Sequence, residues 1–495
     1  MKQEKSKILS HGSIYLLGNI LRRAISFIML PIYTRCLSPQ DYGTIELLSM
    51  IIDFISIIFG LKITQAIFRY YGEYKAYHDK NEVISTSLFL CFILNCMGII
   101  VITIFIEPIT LAVFGNTDEA SNLLFFSLIL LFQPLTEIPM AFIRAKQKPW
   151  IFIFFSIIKL SLQLGLNIYL VVIKKMHIEG VIYSAVLSGA VISFLLIIYT
   201  FSQTGSKVSW EKSKKLTSFS IPMILTSIIS FYIAFGDRYF LRVFSNLKDV
   251  GIYALGYKFG FLLNFLIATP FASIWDSEKY KIYKKADAAN TYQNTFIMYN
   301  FAIIALAVGI SVFIKDLIKI MASPHFWPAY GIVPIILSAY VFNAWAGFTN
   351  LGILIKKNTI EITYGTIIAA ILATIGYYFF IPRFGAFGAA WSTVIAFGAR
   401  FIWITLRANR YYNMNLPWKK VVLLIAIGIL SYLASRIGPH GLIKSLIFNF
   451  FIMIAFGTCT LILPIFPPEL RHVLLAAFKN PGQLPEIIKQ YRKTS

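Results

Sequence analysis

Three stretches of the chain set polar groups at helical spacing inside otherwise apolar sequence. Around residues 13–34, Tyr15, Asn19, Arg22, Arg23 and Ser26 recur at steps of three and four, while Leu16, Leu17, Ile20, Leu21, Ala24 and Ile25 fill the rest of each turn. Around 43–64 the same steps collect Glu46, Ser49, Asp53, Ser56 and Gly60, and around 151–173 they collect Ser156, Lys159, Gln163 and Asn167. On a helix such steps share one face. A charged group at mid-membrane costs about 3 kcal/mol even on insertion scales, so these stripes should face protein or water. The chemistry they suit is binding in a hydrated cavity rather than covalent catalysis.

Charge counting gives that cavity a sign. Arg22, Arg23, Lys62, Lys159, Lys258 and Arg400 lie within apolar runs, against Glu46, Asp53 and Glu137, so a cationic surplus remains after every acid is paired. Glu179 and Glu361, at the edges of runs, narrow it without removing it. If the first two runs are antiparallel, Asp53 comes to the depth of Arg22 and Arg23, where it either pairs with one of them structurally or serves as an ion-coupling carboxylate. Lys62, near a run's end, reads as a side chain that snorkels to the interface, and Arg400 is discounted similarly. Asp237-Arg238-Tyr239 could gate the cavity or cap the helix end, the structural role being favoured, Trp275-Asp276 is open in the same way, and Pro134 and Pro139 flank Glu137 and should kink their helix.

The elements that must position these groups are transmembrane helices. Of 495 residues, 58% are hydrophobic and 14% charged, against about 25% charged in soluble proteins, and the mean hydropathy is +0.72. Fourteen spans can be read, at 13–34, 43–64, 86–107, 121–142, 151–173, 179–201, 217–236, 250–274, 293–314, 329–350, 360–381, 386–406, 419–435 and 443–465. The expected class is an all-α integral membrane protein. The net charge of +23 follows the membrane side: with the N-terminus inside, 28 of the 45 Lys and Arg fall in cytoplasmic segments. That places both termini in the cytoplasm and removes the reason to invoke nucleic acid. The polar opening Met1 to Ser10 precedes a first span that reads as an uncleaved anchor. Cys36, Cys91, Cys96 and Cys459 lack metal or redox spacing, and no cofactor is expected.

The chain also repeats itself. Arg35-Cys-Leu-Ser-Pro-Gln-Asp41-Tyr-Gly43 is echoed by Arg242-Val-Phe-Ser-Asn-Leu-Lys-Asp249-Val-Gly251, and Gly180-Val-Ile-Tyr-Ser184 by Gly388-Ala-Ala-Trp-Ser392, all at offsets of 207 or 208. Six spans per copy is an even number, so the copies should share orientation as a parallel repeat. The expected lobes are 1–210 and 211–412, with 413–495 adding two spans and a tail whose Leu470, Val473, Leu474 and Phe478 suggest a surface helix. The second copy carries Ile229 and Ser230 where the first has Arg22 and Arg23. The repeated glycines therefore read as turn or close-packing residues.

Gly18-Asn-Ile-Leu through Leu30-Pro-Ile-Tyr-Thr-Arg35 to Gly43, with Gly236-Asp-Arg-Tyr239 and Val250-Gly-Ile-Tyr253, resembles the polysaccharide transporter family, the Wzx-type O-antigen flippases. That family lies in the multidrug/oligosaccharidyl-lipid/polysaccharide exporter superfamily. The resemblance implies a monomeric bacterial inner-membrane protein, not an enzyme, that moves undecaprenyl-diphosphate-linked oligosaccharide outward by alternating access, beside a polysaccharide polymerase and glycosyltransferases. On that reading Arg22 and Arg23 would hold the diphosphate, as the forked guanidinium suits. Lys159, Lys258, Asn19 and Gln163 would add substrate contacts, and spans thirteen and fourteen would groove the lipid tail. Asp53, Glu46, Glu137, Asp237 and Arg238 are the coupling or gating candidates. A lipid II-type flippase or a cation-coupled drug antiporter is the alternative, the latter favouring cavity acids over the basic surplus. A polymerase or ligase would carry a large outer loop, and no nucleotide-binding GxxxxGK[ST] loop, HExxH or DxD occurs.

Overall fold

The computed structural model describes residues 27–466 and Arg471. Among them every regular element is helical, because in hydrocarbon each backbone N–H and C=O must find its partner within its own segment. Among the described residues twelve helical stretches are long and apolar enough to cross a bilayer, and they correspond to the thirteen spans from the second through the fourteenth. The count is one short because spans eleven and twelve run together as Ile360–Tyr411. The sequence places a break there, and the chain does bend: Pro382 lies inside the helix and Gly385 has φ 50°, a left-handed value that glycine adopts without strain. A short helix, Ile106–Phe114, also replaces part of the loop expected at 108–120. The tail helix expected around Leu470 lies outside the described residues.

Two compact units are formed, Met1–Ala254 with Met321–His325, and Leu255–Ile320 with Phe326–Ser495. In the first, Ile67, Ile84, Leu88, Cys91, Ile138 and Phe142 form a core joining spans two, three and four. Met140, Ile143, Phe152, Phe155, Ile192 and Leu196 join spans four, five and six. Within a bilayer the gain from such contacts is close packing rather than escape from water. Span four enters as Ala120–Ser127, breaks at Leu128 and continues as Ile129–Ala145 with Pro134 and Pro139 inside it. Each proline removes one backbone donor and so loosens the helix on either side of Glu137. In the second unit, Asp316 of span nine accepts from Ser445 Oγ at 2.8 Å and Asn449 Nδ2 at 2.9 Å of span fourteen.

The segment that leads into helix Trp210–Phe244 is anchored. Ser209 caps helix Trp210–Phe244, and buried Lys212 lies 2.8 Å from Asp79 and 2.5 Å from Glu82 at the start of span three. Lys212 is therefore a poor reporter of sidedness, whereas Lys214 and Asn116 are exposed. An impermeant maleimide applied to intact cells should label Asn116→Cys, and should label Lys214→Cys only after permeabilisation. The opposite pattern would invert the assigned topology.

Candidate substrate site

Span four presents Gln133 and Glu137 one turn apart, with Gln133 Nε2 3.4 Å from Glu137 Oε1. Clefts open on both sides of this pair. One, of about 350 Å³, is lined by Ser56, Lys62 and Gln65 from span two and Asn95 from span three together with Gln133 and Glu137. The other, of about 210 Å³, is lined by Thr136, Lys159, Gln163 and Ser188 together with the same two residues. The site thus places ammonium groups from spans two and five on either side of one carboxylate, among amides and hydroxyls. Such an arrangement suits an anionic group that also carries hydroxyls: lysine offers a point charge, and the amides both donate and accept.

The polar face of span five divides by depth. Lys159 and Gln163 reach the cleft, but Ser156 is buried and donates to Phe152 O at 2.7 Å. Asn167 is buried as well, and its Oδ1 accepts from Tyr33 Oη at 2.7 Å and Ser184 Oγ at 2.8 Å. The Asn167 end of the stripe therefore ties span five to its neighbours, Ser156 bonds back to its own helix, and the middle faces a cleft. Lys62, expected to snorkel, is exposed and also lines the first cleft, at the left-handed residue (φ 48°) that precedes helix Ile63–Glu73.

A second constellation is buried. Asp237 is fully buried, lies 2.7 Å from Arg238 Nη1 and accepts from Tyr253 Oη at 2.6 Å. Arg238 Nη1 also donates to Ala234 O at 2.8 Å, and Nε lies 4.0 Å from Glu46 Oε2. The guanidinium stands over the rings of Phe235 and Tyr253. Glu46, Asp237 and Arg238 thus meet across spans two, seven and eight, with Tyr253 as a partner not foreseen from the sequence. Asp53 is exposed and makes no ion pair among the described residues. Lys258 is half-buried in the second unit. Asn19, Arg22 and Arg23 lie outside the described residues.

Beside this constellation the two copies of the repeated motif touch. Ser38 and Asp41 close a capping box at the start of helix Pro39–Phe59. Asn246 Oδ1 accepts from Asp249 N at 2.9 Å at the start of helix Leu247–Leu263. Each device satisfies a free N–H of a first helical turn. Gly43 and Gly251 then lie face to face: a Cβ on Gly251 would overlap the Pro39 carbonyl, and one on Gly43 would overlap the Leu247 carbonyl. Pro39 and Leu247, like Gly43 and Gly251, are 208 positions apart, so the contact is reciprocal. The glycines are there for backbone approach.

The comparisons agree with this architecture. The probable low-salt glycan biosynthesis flippase of Haloferax volcanii is 20% identical over 487 residues, 95% of this chain and 98% of that protein. A Shigella flexneri protein provisionally described as an O-antigen transporter is 22% identical over 434 residues, 82% of this chain and 99% of its own length. Among solved structures, the lipid II flippase MurJ in an inward closed conformation superposes with a TM-score of 0.72 at 14% identity, over 91% of this chain and 98% of that one, which shows a shared fold. The model of the family described as "Polysaccharide biosynthesis protein" matches residues 8–275. The chain is a multi-pass membrane protein that belongs to the polysaccharide biosynthesis protein family.

Proposed function

We propose that the protein is a flippase that carries an oligosaccharide linked to undecaprenyl diphosphate from the cytoplasmic to the outer leaflet of a bacterial inner membrane. The observation that carries this reading is the pair of clefts around Glu137, lined by Lys62, Lys159 and Gln163, in a member of a polysaccharide biosynthesis family. The ammonium groups, with Arg22 and Arg23 of span one, would hold the diphosphate, and the amides would meet the sugars. An apolar cleft of about 240 Å³ in the second unit, lined by Ile304, Val308, Leu337, Val341, Ile425 and Ile429, supports a path for the lipid tail beside span thirteen. The lobes would be the two repeat copies, 1–210 and 211–412, moving by alternating access. The Gly43–Gly251 contact lies at the end that the basic residues assign to the outside, and there it would seal the cavity. Asp53 is the proposed coupling carboxylate.

The test is export of surface polysaccharide. Lys159→Ala should reduce it at least tenfold with membrane abundance unchanged. Arg22→Ala with Arg23→Ala should do the same, and lysine replacements should rescue only in part because the forked geometry is lost. Normal export in a chain lacking all three basic residues would remove the proposed head-group site.

A further inference from the structure

Trp275-Asp276 takes no part in either constellation described above. Asp276 points outward and pairs with Lys279 at 2.6 Å. Trp275 is buried, in a slab of near-parallel rings: it stacks on Phe348 at 4.5 Å and 15°, and Phe271 stacks on Tyr299 at 3.9 Å and 19°. Phe271 and Phe348 are themselves inclined by only 17°. The four rings line a cleft of about 210 Å³ whose remaining wall includes Asn264, Thr269, Asn343 and Gly347.

Three features separate this cleft from ordinary aromatic packing. The Trp275 indole N–H is buried and has no hydrogen-bond partner among the described residues, whereas Trp345 gives its N–H to Asn300 Oδ1 at 2.6 Å and Trp403 to Glu361 O at 3.1 Å. A buried donor left unmet calls for a partner outside the chain, water or ligand. Asn264 opens a π-helical turn, Asn264–Ala268, the kind of helix irregularity that gathers at functional sites. Asn343 is held by Arg400 Nη1 at 2.9 Å, and a Cβ added at Gly347 would meet nothing within 4 Å. The wall therefore offers the half-buried Phe271 at the margin of the ring slab, the Asn264 and Asn343 amides and open space beside Gly347, with the unmet Trp275 N–H just behind its surface. A bare phosphate would find no cation lining it, and an acyl chain would leave the amides unmet. A pyranose ring satisfies both: its C–H face would lie against Phe271 at the margin of the slab while its rim hydroxyls meet the Asn264 and Asn343 amides.

We infer that this cleft of the second unit is a binding subsite for a sugar ring of the lipid-linked glycan; the inference rests on the flippase reading above. It would give the protein a means of sensing the glycan separately from the diphosphate.

The test uses the full chain in nanodiscs, labelled with 5-fluorotryptophan, with the Trp275 resonance assigned by Trp275→Phe. The probes are lipid-linked glycans extracted from the source organism's membranes, and undecaprenyl diphosphate without sugar. The glycan lipid should shift the Trp275 resonance and the sugar-free lipid should not. Gly347→Leu, which grows into open space, and Asn343→Ala should each weaken the glycan lipid about tenfold and change the affinity for undecaprenyl diphosphate less than twofold. If both lipids bind the wild type and both variants alike, with the Trp275 resonance unmoved, the cleft is packing and the inference falls while the flippase reading stands. If neither lipid binds the wild type, the flippase reading falls and takes the subsite with it.

Discussion

Arg238→Ala is expected to deplete the protein from the membrane, because the change leaves Asp237 buried without its counter-charge. Asp237 is fully buried and Arg238 nearly so, which removes the solvent screening that makes surface ion pairs cheap to lose. Breaking such a pair from one side costs about 3–5 kcal/mol, and Glu46 nearby adds a second negative charge. Arg238→Lys should recover only part, since one ammonium cannot reproduce the bonds to Asp237 and Ala234 together with the contact toward Glu46. Asp237→Asn placed on Arg238→Ala should restore abundance, because the amide oxygen still accepts from Tyr253. Membrane abundance and melting temperature of the purified protein are the readouts. A stable Arg238→Ala protein at wild-type level would show that the buried pair is not what holds spans two, seven and eight together.

Gly251→Ala should have the largest effect on transport without loss of the protein. The added methyl meets the Pro39 main chain, which cannot swing aside as a side chain would, so the two helix starts must separate. Export should fall at least tenfold. A cysteine placed at Ser49, on the polar face of span two, should become reactive to an impermeant maleimide from outside. Gly43→Ala should behave alike because the contact is reciprocal. Gly72→Ala, where nothing lies within 4 Å, should change neither readout. Unaltered export and labelling in Gly251→Ala would rule out the glycine contact as a seal.

The sequence revealed faces more readily than depths or partners. Period alone picked out Lys159 and Gln163, and they do line a cleft with Glu137. The same period also picks out Ser156, buried with its hydroxyl turned back to its own helix, and Asn167, buried in bonds to neighbouring helices, because spacing along a helix says which side a residue takes and not what lies opposite. Lys62 shows the same limit: its place near a span end suggests snorkelling, and only the structure adds that this exposed residue lines a cleft. The approach of Arg238 to Glu46 joins residues nearly two hundred positions apart, and only tertiary packing creates it. Gln133 could have been found, since it stands one turn from Glu137 beside Pro134. The repeated glycines were legible as sites of close approach. That they approach one another is what a repeat at offsets of 207 or 208 would lead one to expect.

Reconstitution tests the central claim most directly. The purified chain, in vesicles whose inner leaflet carries lipid-linked glycans from the source organism, should bring the glycan into reach of an external lectin without added nucleotide. Lys159→Ala should slow that appearance at least tenfold at equal protein density. Failure of the glycan lipid to cross in vesicles holding correctly folded protein, or crossing that required ATP, would contradict the account.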